Sequence, residues 1–266
     1  MKRTFLYILT ALLAVGCKNS SVQSHKNNDD KPVITVTIEP LRYFTEAIAG
    51  DNFSVVSMVP KGSSPETYDP TPQQLVDLAK SKAYFRIGYI GFEQTWMDKL
   101  TDNAPHLQFF DTSRGIDLIY DSSHAHHHHG NDEGHTHDSI QHDEHQQAIG
   151  VEPHLWSSAY NAQIIAGNIL NALCSIDKAN EEVYVERYKN LCNQIEHTDS
   201  LICHMLSVPN ADRAFMIYHP ALSYFARDYG LHQISIEEDG KEPSPSHLKN
   251  LIDTCKKEKV RVIFVQ

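Results

Sequence analysis

Histidines crowd residues 124–145: His124, His126, His127, His128, His129, His135, His137, His142 and His145. Imidazole is the commonest biological metal ligand and is largely neutral near pH 7, so its nitrogen lone pairs are open to a cation. Asp132, Glu133, Asp138, Asp143 and Glu144 lie among them and add oxygen donors and negative potential. The tract has no hydrophobic periodicity and cannot bury a core, which predicts a solvated loop. It is internal and mixed with acids, whereas a purification tag is terminal and uninterrupted. The chemistry implied is metal capture. The tract runs into Gly150-Val151-Glu152-Pro153-His154-Leu155-Trp156, where ordered structure is expected to resume.

The elements that must position such chemistry alternate. VITVTI at 33–38 is β-branched and predicts a strand, and LRYFTEAIAG, stopped by Gly50, a helix. FSVVSMV at 53–59, the helix PTPQQLVDLAKS at 70–81, the strand AYFRIG, the helix FEQTWMDKLTDN and the strand LQFFD continue the pattern. Repeated β and α elements argue for parallel sheets with helices on both faces, and in such sheets ligands bind beyond the carboxyl ends of the strands. That rule selects the loop Pro60–Pro72, dense in Pro, Gly and Ser, which presents Glu66 from a stiff backbone. Glu66 there reads either as a preorganised ligand or as an exposed acid accepting a hydrogen bond.

After Trp156, apolar residues at Ile164, Ile165, Ile169, Leu170 and Leu173 mark a helix. Residues 181–208 hold neither Gly nor Pro and predict one helix on the order of 40 Å long, enough to bridge two lobes. His197 and His204 lie on it and read as surface or packing residues. AFMIY at 214–218 restarts the strands, with His219-Pro220 at its carboxyl end, and ALSYFARDYG, HQISI, PSPSHLKNLIDTCKKEK and RVIFVQ complete a second βαβαβ unit. The chain stops on that last strand, so the second lobe is expected to be incomplete.

Residues 1–16 have a signal peptide's features: Lys2 and Arg3, then an apolar run from Phe5 to Val15 too short for a stable membrane anchor. Leu13-Ala14-Val15-Gly16-Cys17 resembles the bacterial lipoprotein box, which implies cleavage before Cys17, acylation of its sulfur, and a flexible tether at 17–31. Losing Lys2 and Arg3 takes the formal charge from −11 to −13. An acidic chain without a Lys/Arg cluster is a poor nucleic-acid binder. Cys174, Cys192, Cys203 and Cys255 form no C-x-x-C pair, and core burial is expected of them rather than a disulfide.

Three stretches together resemble the zinc-uptake (ZnuA-like, cluster A-I) metal-binding lipoproteins of bacterial ABC importers. PKGSSPETYDPTPQQL is similar to that family's P-G-x-S-P-H-x-Y-x-P-T-P, and GVEPHLW to its G-x-D-P-H-x-W, here behind a histidine-rich insertion. FMIYHPALSYFARDYGL with EEDGKEPSPSHLKNLI resembles its strand-His-helix and E-x-K-E-P-S segments. The resemblance covers residues 31–266 and implies metal ligands at Glu66, His154 and His219, in a cleft between two α/β lobes joined by one rigid helix. It also implies a fourth, acidic ligand beyond Gln266. Position 66 departs from the pattern, which has His there. Two imidazoles and a carboxylate suit Zn2+, with Mn2+ or Fe2+ gaining as oxygen donors increase.

The expected layout is a signal peptide at 1–16, a lipidated tether at 17–31, and an N-terminal lobe at 32–178 carrying the histidine loop at 121–148. A linking helix at 179–208 and a C-terminal lobe at 209–266 follow. The function implied is an exported, lipid-anchored, monomeric receptor in the cell envelope that hands zinc to an ABC permease, or manganese or iron in the same role. A zinc hydrolase is a competitor, since two His and a Glu also make a catalytic set, but no HExxH motif is present. A zinc-binding adhesin is a third reading.

Overall fold

The computed structural model describes residues 31–120, 150–237 and 243–264. The signal segment, Cys17 and the histidine tract lie outside the described residues.

The first sheet is fully parallel, with strands β1 (Val33–Val36), β2 (Ser54–Ser57), β3 (Ala83–Arg86) and β4 (Gln108–Asp111) in the order β2-β1-β3-β4. Helix α1 (Glu39–Ala49) links β1 to β2, α2 (Pro72–Leu78) links β2 to β3, and α3 (Gly91–Asn103) links β3 to β4. Strands β1 and β3 are buried almost throughout, as central parallel strands should be. Their core includes Ile34, Val36, Tyr84 and Phe85, none of them exposed to solvent. The predicted alternation is thus present with its order and handed to a single core.

Helices α4 (Ala159–Ile176) and α5 (Glu181–Leu206) follow. Ile165, Ile169 and Leu173 of α4 are fully buried, the helical stripe expected from the sequence. The 26 residues of α5 run about 39 Å. Its first half packs on α1 and α4 through the buried Tyr184 and Leu191, and its second half carries the chain away to the next sheet. Arg187 on α5 donates from Nη1 to the Ala49 carbonyl at 2.7 Å. Gly50 lets this happen: its φ is +56°, and a Cβ there would lie 2.4 Å from the Arg187 guanidinium. Cys203, expected to be buried, is exposed because α5 has left its packing partners by that point, while Cys174, Cys192 and Cys255 are half-buried; all four are free thiols.

The second sheet is also parallel, with β5 (Ala214–Ile217), β6 (His232–Ser235) and β7 (Ile263–Phe264) in the order β6-β5-β7. Helix α6 (Ser223–Tyr229) joins β5 to β6, and α7 (Pro245–Glu258) precedes β7. The two halves meet through α6. Its Tyr224 is fully buried within the core of the first half, and its hydroxyl donates to the Glu152 carbonyl at 3.0 Å and accepts from the Ile119 amide at 3.1 Å. Burial pushes that hydroxyl's pKa up to about 12, so it keeps its proton and its donor role at neutral pH.

Candidate metal centre

Strands β5 and β6 run parallel with Ile217 opposite Ser235. Counting two residues on from that pair sets His219 beside Glu237, and two backbone bonds hold the chain ends together past the strands: the Ile236 amide donates to Ile217 at 2.9 Å and the Glu237 amide to Tyr218 at 3.0 Å. The side chains then meet, with His219 Nδ1 2.9 Å from Glu237 Oε2. Both residues sit just beyond the carboxyl ends of adjacent parallel strands, where the geometry of such sheets opens a binding position.

His154 arrives from the other half. The segment that precedes it is pinned where Val151 bridges Tyr120 in antiparallel fashion and the Glu152 amide donates to Ile119 at 2.9 Å. A single 3-10 turn over Leu155–Ser157 follows, with Leu155 fully buried and its carbonyl bound by Asn161 Nδ2 at 3.1 Å. His154 is therefore held at the head of a short anchored turn and is itself buried, at 8% exposure. The Glu152 carboxylate folds back on it: Oε1 accepts from the His154 amide at 2.8 Å and lies 2.6 Å from His154 Nδ1. Burial pushes the Glu152 pKa up, but the hydrogen bonds and charge of His154 and the bond from Ser223 outweigh it, and the carboxyl is held below its ordinary range.

The two imidazoles face each other through Nε2, 3.3 Å apart, with rings 5.0 Å between centroids and inclined at 71°. An ionised carboxylate only accepts hydrogen bonds, so Glu152 and Glu237 each require a proton on the Nδ1 they touch. In the neutral rings the lone pairs then fall on the two Nε2 atoms, aimed at one another. That arrangement is unfavourable alone and favourable around a cation. Two nitrogens about 2.0–2.1 Å from a tetrahedral zinc stand about 3.3–3.4 Å apart, the separation found here. Each ring also has the carboxylate partner that metal-bound histidines carry on their distal nitrogen.

Glu66 has a different place. Its loop is fastened by the Phe92 amide to the Pro65 carbonyl at 2.9 Å and by Trp96 Nε1 to Asp69 Oδ1 at 3.1 Å. The exposed Glu66 carboxylate accepts from the Gly91 amide at 3.0 Å, at the start of α3. Gly91 leaves room for it, since a Cβ there would come within 2.6 Å of Glu66 Oε2. The structure brings together His154 and His219 of the three expected ligands and sets Glu66 on Gly91. Among the described residues no group of three or more His, Cys, Asp or Glu is arranged to hold a metal ion. The loop histidines and Cys17 lie outside the described residues.

Sequence reasoning did not single out Glu152, Glu237, Ser223 or Gln233. Glu152 could have been found, since it stands two residues from His154 in GVEPHLW. Glu237 could have been found as the residue just past a predicted strand. Ser223 and Gln233 carry no linear signal.

A family profile described as the ZnuA family, zinc-uptake complex component A, periplasmic, matches residues 34–266. The high-affinity zinc uptake system protein ZnuA of Bacillus subtilis (strain 168) is 27% identical over 269 residues, 98% of this chain and 80% of that protein. The manganese ABC transporter substrate-binding lipoprotein PsaA of Streptococcus mitis is 26% identical over 274 residues, covering 98% of this chain and 80% of the relative. A crystal structure of ZnuA superposes with a TM-score of 0.75 at 33% identity, over 89% of this chain and 82% of its own.

Proposed function

The chain belongs to the ZnuA family of zinc-uptake components, and from that premise we propose that it is the extracytoplasmic receptor of a metal importer, taking its ion on His154 and His219. The family is one of substrate-binding receptors and not of enzymes, so the hydrolase reading falls with the assignment. The metal here is cargo. The observation that carries the reading is the imidazole pair: Nε2 atoms 3.3 Å apart, each ring fixed from behind by a carboxylate.

Zinc is the first choice of cargo, because two imidazoles in a tetrahedral spacing suit it. Relatives named for zinc and for manganese both align along nearly the whole chain, so selectivity rests on the remaining donors. Glu66 is the proposed third ligand. Its carboxylate accepts from the Gly91 amide here, and as an oxygen donor it moves the site toward Mn2+ or Fe2+ relative to a third imidazole. The histidines at 124–145 supply weaker capture positions ahead of the imidazole pair.

The partner is an ABC permease. Cys17 in its Leu-Ala-Val-Gly-Cys setting is the proposed lipid attachment point, with 1–16 the signal peptide and 17–31 the tether of a monomeric receptor. The lobe boundaries 32–178 and 209–266, with 179–208 between them, belong to the same proposal. No helix among the described residues is long and apolar enough to cross a membrane. Native mass spectrometry and chelator competition with Zn2+, Mn2+ and Fe2+ test the reading. One tightly held zinc, lost in the His154→Ala/His219→Ala double variant, is expected; zinc binding unchanged in that variant would refute it.

A further inference from the structure

A line of hydrogen bonds leaves the imidazole pair and crosses into the second half of the molecule. The Leu222 amide donates to Gln233 Oε1 at 2.9 Å, which fixes the orientation of that side-chain amide. Gln233 Nε2 is then the donor that lies 3.1 Å from Ser223 Oγ. The Ser223 hydroxyl, accepting there, has two acceptors for its one proton, Glu152 Oε2 at 2.9 Å and the Pro220 carbonyl at 3.4 Å, and the nearer, charged carboxylate takes it. Glu152 has now spent one oxygen on Ser223 and turns the other, Oε1, to the His154 amide and to His154 Nδ1. The line starts from a backbone amide that has no choice of role and ends on a carboxylate that can only accept.

We propose that Ser223 and Gln233 are positioning residues for metal capture: acting through Glu152, they lock His154 in the tautomer whose Nε2 lone pair faces His219. The proposal rests on the imidazole pair being the metal site. Its content lies beyond that reading, because Ser223 reaches His154 only through Glu152, and Gln233 only through Ser223. Ser223 opens α6 and Gln233 lies in β6, whereas Glu152 and His154 come from the segment fastened to the first half. The tautomer of a ligand on one half is therefore set by a donor on the other. A change in how the halves meet would release Glu152 Oε2, let the carboxylate rotate, and free His154 to carry its proton on Nε2, where a metal would have to bind. Loading and the contact between the halves become one event.

The line is independent of Tyr224, whose hydroxyl meets the Glu152 carbonyl rather than its carboxylate.

The test uses the whole chain, labelled with 15N in histidine, and reads His154 in metal-free protein before any zinc is added. Wild type should show His154 protonated on Nδ1. Ser223→Ala should give a mixture of tautomers, and zinc affinity, read by chelator competition, should fall about 3- to 10-fold with the melting temperature little changed. Ser223→Thr keeps the hydroxyl and should restore both. Gln233→Glu keeps the acceptor for Leu222 but removes the donor to Ser223; it should reproduce the tautomer mixture. A Ser223→Ala protein with the wild-type tautomer and zinc affinity within twofold would overturn the proposal. His154→Ala separates the two claims: if it abolishes tight zinc binding while Ser223→Ala does nothing, the metal site stands and the positioning line is wrong. If His154→Ala leaves zinc binding intact, the metal site itself is wrong.

Discussion

The residue that most constrains the chemistry is Glu152, because a carboxylate shared between a histidine and a serine leaves that histidine a single role. His154 and His219 are each expected to be indispensable. Replacing either with Ala should weaken zinc by on the order of 100-fold or more, since changes even to outer partners of metal ligands cost about 10- to 100-fold. Isothermal titration of each variant would measure it. The acid dependence follows from the same atoms. Only neutral imidazole binds metal, and the imidazolium that competes with it forms around a reference pKa of about 6.5, so affinity should decline as pH falls from 7.5 to 5.5. Glu152 behaves otherwise. Its folded pKa is depressed, so it contributes stability above the unfolded value of about 4.3, and that contribution is lost only as pH falls through the lower folded value. Metal release should therefore be complete before the protein shows acid destabilisation from this group. Chelator competition alongside thermal melts at each pH would separate the two; simultaneous loss would contradict the assignment.

At the scale of elements, α3 carries more than packing. Glu93 near its start is buried and accepts hydrogen bonds from Thr37 Oγ1, from the Ile87 amide at 2.9 Å and from the Gly88 amide. Burial pushes its pKa above the ordinary carboxylate range in spite of those three donors. Glu93→Ala would leave the Ile87 and Gly88 amides unpaired, and should destabilise the fold by about 2–4 kcal/mol in denaturant titration. The loop it orders ends at Gly91, the seat of Glu66. Gly91→Ala should dislodge Glu66 while sparing the imidazole pair, so its zinc affinity reports whether that seat competes with metal binding. Tighter zinc in Gly91→Ala would mean that it does. The central elements were legible in sequence because β1 and β5 are short apolar runs and α4 a regular stripe, patterns that burial alone imposes. The partnership of His219 with Glu237 was not legible. It depends on the register between β5 and β6, and the run of residues along either strand does not record which residue of the neighbour stands opposite. Ser223 was hidden for a similar reason, since its partner lies 71 positions away on the other half. Cys203 misled because its spacing from Cys192 is helical, whereas its exposure depends on where α5 loses its neighbours.

For the whole molecule, the arrangement is two parallel α/β halves that meet through α6, with one imidazole supplied by each. Tyr224→Phe removes the hydroxyl by which α6 binds Ile119 and Glu152 of the first half, and should cost about 1–3 kcal/mol by leaving the Ile119 amide without its partner. Deleting residues 124–145 should leave the melting temperature and the imidazole pair unchanged while removing additional, weaker zinc equivalents, because that stretch has no hydrophobic periodicity. That deletion also clears the way for the most direct test, since it removes every loop histidine that could mimic the site. X-ray absorption at the zinc edge on the deletion protein, loaded with one equivalent, reads the donors around the ion. The account predicts nitrogen or oxygen donors at about 2.0–2.1 Å with the multiple-scattering signature of two imidazoles, reduced to one in His154→Ala. A shell without imidazole scattering, or one unchanged by His154→Ala, would contradict it.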